Sequence, residues 1–232
     1  MARPIRVVGA IVVGAALLAS AAIWNVAFRA PSPHHLPLPV GLISVESADG
    51  AQLLSHSAFT IDDADLTRFF ESQSRVAYCG VASSVIVLNA LRHDTVLTQS
   101  TVFPNATTEL RTTFGGMTLA QLADLLHANG ADVTVTHASE SNIDTFRTIA
   151  RQNLQTPHDF ILVNYERAVL GQTKSGHISP LAAYDDQTDR LLILDVAAYK
   201  YPPVWVTTTD LWNAMNTIDP ASGLSRGFLV VR

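Results

Sequence analysis

The stretch "GHISPLAAYDDQTDRLLILDVA", residues 176–197, constrains the fold more than any other part of the chain. Two apolar runs flank the turn-forming "DDQTD", the pattern of an antiparallel β-hairpin. A turn near Asp186 to Asp189 sets His177 opposite Asp195. Helical patterns come earlier. Residues 61–73 follow Thr60 and carry acids in their first turn, as a helix start does. A second helix begins near Tyr78 or Cys79, with Val81, Ser84, Val85 and Leu88 at helical spacing. "MTLAQLADLLHANG" places Thr118 and Gln121 as a capping box and Gly130 as a stop, and "SNIDTFRTIARQNL" is a further helix. Residues 133–136 and "DFILVNY" read as strands, followed by a short helix over 210–216 and a terminal strand "GFLVVR". Helices early and antiparallel strands late predict an α+β fold rather than a doubly wound parallel sheet.

The 232 residues suit one domain with a segment appended. Arg3 and Arg6 precede an uncharged apolar run over residues 7–23, and Ala19-Ser20-Ala21 offers a cleavage signal. Residues 1–28 are therefore expected to be a signal peptide or a short membrane anchor. The domain expected to be folded, 46–232, follows a proline-rich linker over 29–45 in which His34 and His35 are solvated. Export to the periplasm, or anchoring on the inner membrane facing it, is the expected location. With one cysteine there is no internal disulfide, so an exported form depends on its core. Fifteen Lys and Arg against 20 Asp and Glu give a net charge of -5, without the basic stripe that nucleic acid needs. "GQTKSG" lacks the spacing of a phosphate-binding loop, and His93, His127, His137 and His158 show no metal-ligand spacing.

The lone cysteine poses the functional question, since an unpaired thiol is ordinarily a small buried hydrophobe. Cys79 instead stands at a predicted helix N-terminus, whose partial positive charge favours a thiolate. Gly80 follows it and lets a substrate backbone approach. Gln73, six residues upstream, carries an amide able to meet a developing oxyanion. His177 opens the apolar hairpin and supplies a general base, and Asp195 on the second strand can orient its ring. Gln-x5-Cys-Gly at a helix start is the arrangement of papain-like thiol enzymes.

"YCGVASSVIVLNAL", "LILDVAAYKYPPVWV" and "AMNTIDPASGLSRGFLVV" together resemble the phytochelatin synthase family, in particular its short bacterial members, over residues 59–232. The resemblance implies a papain-like fold and a Cys79–His177–Asp195 triad with Gln73 at the oxyanion position. It also implies chemistry on glutathione. The thiolate attacks the carbonyl joining cysteine to glycine, glycine leaves, and the γ-glutamylcysteinyl thioester passes to water or to a second glutathione. No cofactor is implied, and a metal such as cadmium enters only as a thiolate of the substrate. Arg167, Asp219 and Arg226, together with Gly176, occupy the family's substrate-binding positions, as the charges of a γ-glutamyl end require. Lys200 and Tyr201 have a structural role on this reading. Eukaryotic members add a cysteine-rich C-terminal domain, whereas this chain has no second cysteine, so sensing of metal by such a domain is not expected. Short bacterial members mainly release glycine, and hydrolysis is the expected dominant outcome. A homodimer is compatible with the sequence. Two rivals stand beside this reading: a papain-like peptidase acting on other peptides, and a non-catalytic module that binds glutathione or metal thiolates.

Overall fold

A computed structural model describes residues 20, 22–25, 27–92 and 96–232. The leader through residue 19, Ala21 of the cleavage signal and His93 lie outside these residues. Among the described residues no helix is long and apolar enough to cross a membrane.

The body is a seven-stranded antiparallel sheet in the order β1-β6-β5-β4-β3-β7-β2. The strands are β1 (Ile43–Ser44), β2 (Val133–His137), β3 (Phe160–Glu166), β4 (Gly176–Asp185), β5 (Arg190–Ile193), β6 (Val204–Thr207) and β7 (Gly227–Val231). Helices cover both faces, which is why β3, β4 and β5 read as continuous apolar runs instead of alternating ones. On one face Phe160, Leu162, Ile178 and Leu192 pack beneath α2 (Asp63–Arg68), α3 (Cys79–Arg92) and α5 (Leu119–Ala128). On the other, Ile161, Val163, Leu191 and Ile193 meet α6 (Ile143–Asn153) and α7 (Thr208–Met215). Two further α-helices are α1 (Ala48–His56) and α4 (Ala106–Gly115). The mixed helical and antiparallel architecture is the α+β class expected.

Local signals acted as anticipated where their chemistry is explicit. Thr118 and Gln121 form the reciprocal capping box of α5, and Gly130 follows that helix with φ +77°. The hairpin turns at residues 186–189, with Asp189 in the left-handed region at φ 52°. Two expectations need correction. The helix anticipated over 61–73 is only the six residues of α2, because the chain beyond Phe69 is claimed by the sheet side of the molecule. Gln73 N donates to Val196 O at 2.8 Å and Ser72 Oγ to the same carbonyl at 3.1 Å. The hairpin register is also displaced by two or three residues, with an irregularity between Leu181 and Ala183. Leu194 N donates to Pro180 O, so Asp195 falls level with Ser179 and one pleat away from His177 on the same face.

Residues 34–45, within the proline-rich stretch, are docked on the body. His34 N donates to Tyr199 O at 2.8 Å, Leu36 N to Lys200 O at 3.0 Å and Val45 N to Pro203 O at 3.0 Å, and β1 pairs with β6. The ring of His34 is exposed, while Tyr201 is buried with its hydroxyl accepting from Thr173 N.

What positions the site is α3. Every residue from Gly80 to Ala90 is buried. Ser83 Oγ donates to Ile178 O at 3.1 Å, tying the helix across to β4 beside His177. At Gly80 an added side chain would be crowded, since a Cβ there meets Met117 Sδ at 3.1 Å and Ile178 Cδ1 at 3.3 Å.

Candidate active site

Cys79 is the first residue of α3, where the opening N–H groups have no acceptor inside the helix. Burial pushes its thiol up, but hydrogen bonding and charge from His177, with help from the Ile178 and Gly80 backbone, hold it below its ordinary value. His177, the second residue of β4, is buried with its ring edge against Tyr165, centroids 5.6 Å apart. Its Nε2 lies 3.0 Å from Asp195 Oδ1, close but not aligned as a hydrogen bond. Asp195 is wholly buried. Its Oδ1 also accepts from Arg167 Nη2 at 2.7 Å and Ala197 N at 2.9 Å, whereas Oδ2 has no hydrogen-bond partner among the described residues. Burial works to raise that carboxyl, and the His177 and Arg167 charges outweigh it, holding the group well below the usual carboxylate range.

The lowered thiol gives a direct expectation. Iodoacetamide should alkylate Cys79 at mildly acidic pH, where an ordinary thiol, with a pKa of about 8.5, is protonated and inert. A rate profile against pH on the intact chain checks it. Because the shift is downward, reactivity should persist as pH falls below the usual thiol range and be lost only at the shifted value.

Cys79 and His177 open into a cleft of about 310 Å³ that is also lined by Gly176, Asn164, Asp219 and Arg226. A larger groove of about 490 Å³ beside β2 and β7 is lined by no cysteine or histidine. Arg226 donates from Nη1 to Asn164 Oδ1 at 2.9 Å, with Asp219 Oδ2 3.9 Å from the same nitrogen. A cation and an anion therefore stand side by side in the same cleft as the thiol and imidazole.

Arg167 is the correction among the anticipated substrate contacts. It is 1% exposed and lines no part of the cleft. Its guanidinium is spent on Asp195 and on Gln172 Oε1, the latter at 2.6 Å. A buried carboxylate needs a counter-charge, and Arg167 supplies it from behind. Gln73 is likewise buried. Its Nε2 donates to the carbonyls of Arg75 and Val76, at 2.9 and 2.7 Å, shaping the loop that leads into Cys79, while Oε1 has no partner. In this conformation the amide clamps the loop, and a backbone donor of α3, at Gly80, stands beside the thiol.

Sequence reasoning missed Asn164, Tyr165, Glu166 and Gln172. The signal for two of them was present: Asn164 and Glu166 alternate on one face of an otherwise apolar strand, a polar pair with something to bind.

Fold and site together define an α+β protein with a cysteine–histidine–aspartate constellation and a charged pocket beside it. The family model for phytochelatin synthase matches residues 34–228, and the chain belongs to that family. Among curated relatives, it is 37% identical over 174 residues to glutathione gamma-glutamylcysteinyltransferase 3 of Lotus japonicus, covering 72% of this chain and 36% of the relative. It is 34% identical over 207 residues to glutathione gamma-glutamylcysteinyltransferase 1 of Triticum aestivum, covering 84% and 41%. With the corresponding Arabidopsis thaliana protein 1 it shares 36% over 175 residues, covering 72% and 36%. The chain thus spans about two fifths of these relatives' own length.

Proposed function

We propose that this chain is a glutathione γ-glutamylcysteinyltransferase of papain-like build, working through a thioester on Cys79 with water as the main acceptor. The observation that carries the reading is His177 standing between the Cys79 thiol and the buried Asp195 carboxylate. The Cys79 thiolate attacks the carbonyl carbon of the Cys–Gly amide, forming a C–S bond. The oxyanion is met by the first N–H groups of α3, and Gln73 joins them by exchanging one of its loop bonds. His177 gives its proton to the glycine nitrogen, the C–N bond breaks, and glycine leaves. Water, or the amine of a second glutathione, then attacks the thioester while His177 takes its proton and Cys79 departs. Asp195, held by Arg167, fixes the ring throughout. Asp219 and Arg226 meet the ammonium and carboxylate of the γ-glutamyl end. Metals such as cadmium act as thiolates of the substrate. The apolar N-terminal run supports an exported or membrane-anchored location.

Acid quenching during turnover tests this. Mass analysis of the peptide containing Cys79 should show a γ-glutamylcysteinyl adduct, a glycine burst matching it, and free γ-glutamylcysteine exceeding phytochelatin. Glycine without an adduct would remove the covalent mechanism. Binding of glutathione without glycine release would favour the binding module, and turnover of other peptides alone the peptidase.

A further inference from the structure

Glu166 ends β3 outside the cleft lining, yet it joins Arg226, which lines the cleft, to two backbone segments. Its Oε1 accepts from Ser175 N at 3.0 Å and Ala168 N at 3.2 Å, and its Oε2 lies 3.5 Å from Arg226 Nη2. Arg226 is 5% exposed and its Nε has no hydrogen-bond partner among the described residues. A guanidinium cannot shed its charge on burial, so it needs an anion close by. Of the two carboxylates paired with it, Asp219, at 3.9 Å, is the more distant, and Asp219 Oδ1 already accepts from Ala221 N at 3.1 Å. Gly176 completes the cradle, since a Cβ there would lie 2.6 Å from Arg226 Nη1.

We propose that Glu166 is a positioning residue. It holds the Arg226 guanidinium over Gly176 and ties it to the start of the strand that carries His177. Held this way, Arg226 is aimed at an incoming carboxylate, and Asp219 is left free for an ammonium on the same ligand. The ligand's identity as a γ-glutamyl group rests on the function proposed above, whereas the clasp on Arg226 does not.

The full chain is compared with Glu166→Ala and Glu166→Gln. Glu166→Ala should raise the KM for glutathione roughly three- to tenfold, with kcat within about twofold and the alkylation profile of Cys79 unchanged. Glu166→Gln keeps an oxygen for the Ser175 and Ala168 N–H groups and loses only the charge, so its KM should fall between. Phenylglyoxal, which modifies arginine side chains, should attack Arg226 faster in Glu166→Ala than in the parent, as read by peptide mass. An unchanged KM with an unchanged modification rate overturns the proposal. So does a fall in kcat accompanied by a shifted alkylation profile, which would make Glu166 a general support of the fold. If the parent releases no glycine, the proposed function fails, and the Arg226 modification rate alone decides for or against the clasp.

Discussion

Cys79→Ser is expected to lose glycine release by about three orders of magnitude or more while unfolding at nearly the parent temperature. The substitution changes one atom at a site already packed for it, so the cost to stability should stay within about 1 kcal/mol. The chemistry does not survive the change. The contacts that hold the thiol below its ordinary value are an imidazole and a few N–H dipoles. They favour a thiolate that is already within reach at neutral pH, whereas a hydroxyl starts far higher and is a much poorer nucleophile before proton removal. Initial rates of glycine release beside a thermal melt check both halves. A serine chain retaining a tenth of the parent rate would show that the thiolate is not the attacking group.

The second large effect is expected at a residue that lines no part of the cleft. Arg167→Met should lower glycine release by about a hundredfold and destabilise the fold by about 3–5 kcal/mol, the usual result of stripping one partner from a buried ion pair. Asp195 would keep only His177 and the Ala197 N–H, and Gln172 would lose its donor as well. The folded-state carboxyl is depressed by its partners, so it contributes stability above the ordinary carboxylate range and loses it as pH falls toward the depressed value. Without Arg167 that acid-side dependence should flatten. The double variant Arg167→Met with Asp195→Asn should be more stable than Arg167→Met alone, because the uncompensated charge is gone. Urea denaturation at neutral and acidic pH measures these differences. Equal stability of the single and double variants would mean that the pair does not carry the burial cost assigned to it.

Much of this arrangement could be read from residue order, and the failures share a cause. The capping box of α5, the hairpin turn and the start of α3 are local events, decided by side chains a few positions apart. Asp195 was correctly paired in space with His177, although the register set at the turn, with Asp185 opposite Arg190, offset it from the facing position, and the irregularity between Leu181 and Ala183 took back only one residue of that offset. A single irregular residue in the hairpin is invisible in a pattern of alternating apolar positions. The role of Arg167 turned on something that a sequence does not display, namely which side of the imidazole a cation occupies. A charge beside a cleft motif suggests contact with a ligand, and only the fold shows it turned inward toward the carboxylate. α4 escaped notice because "ATTELRTTFG" lacks an apolar stripe, its start being marked only by the Asn105 cap.

The eleven consecutive buried residues of α3 have a consequence for how this protein fails under heat or denaturant. The nucleophile belongs to a helix locked into the core and the base to the central sheet, so no partial opening at the periphery can separate them. Fraying of the docked 34–45 segment should leave the thiol and imidazole in place. Loss of turnover should therefore coincide with the cooperative global transition, and hydrogen exchange of the α3 amides should report the same free energy as the whole domain.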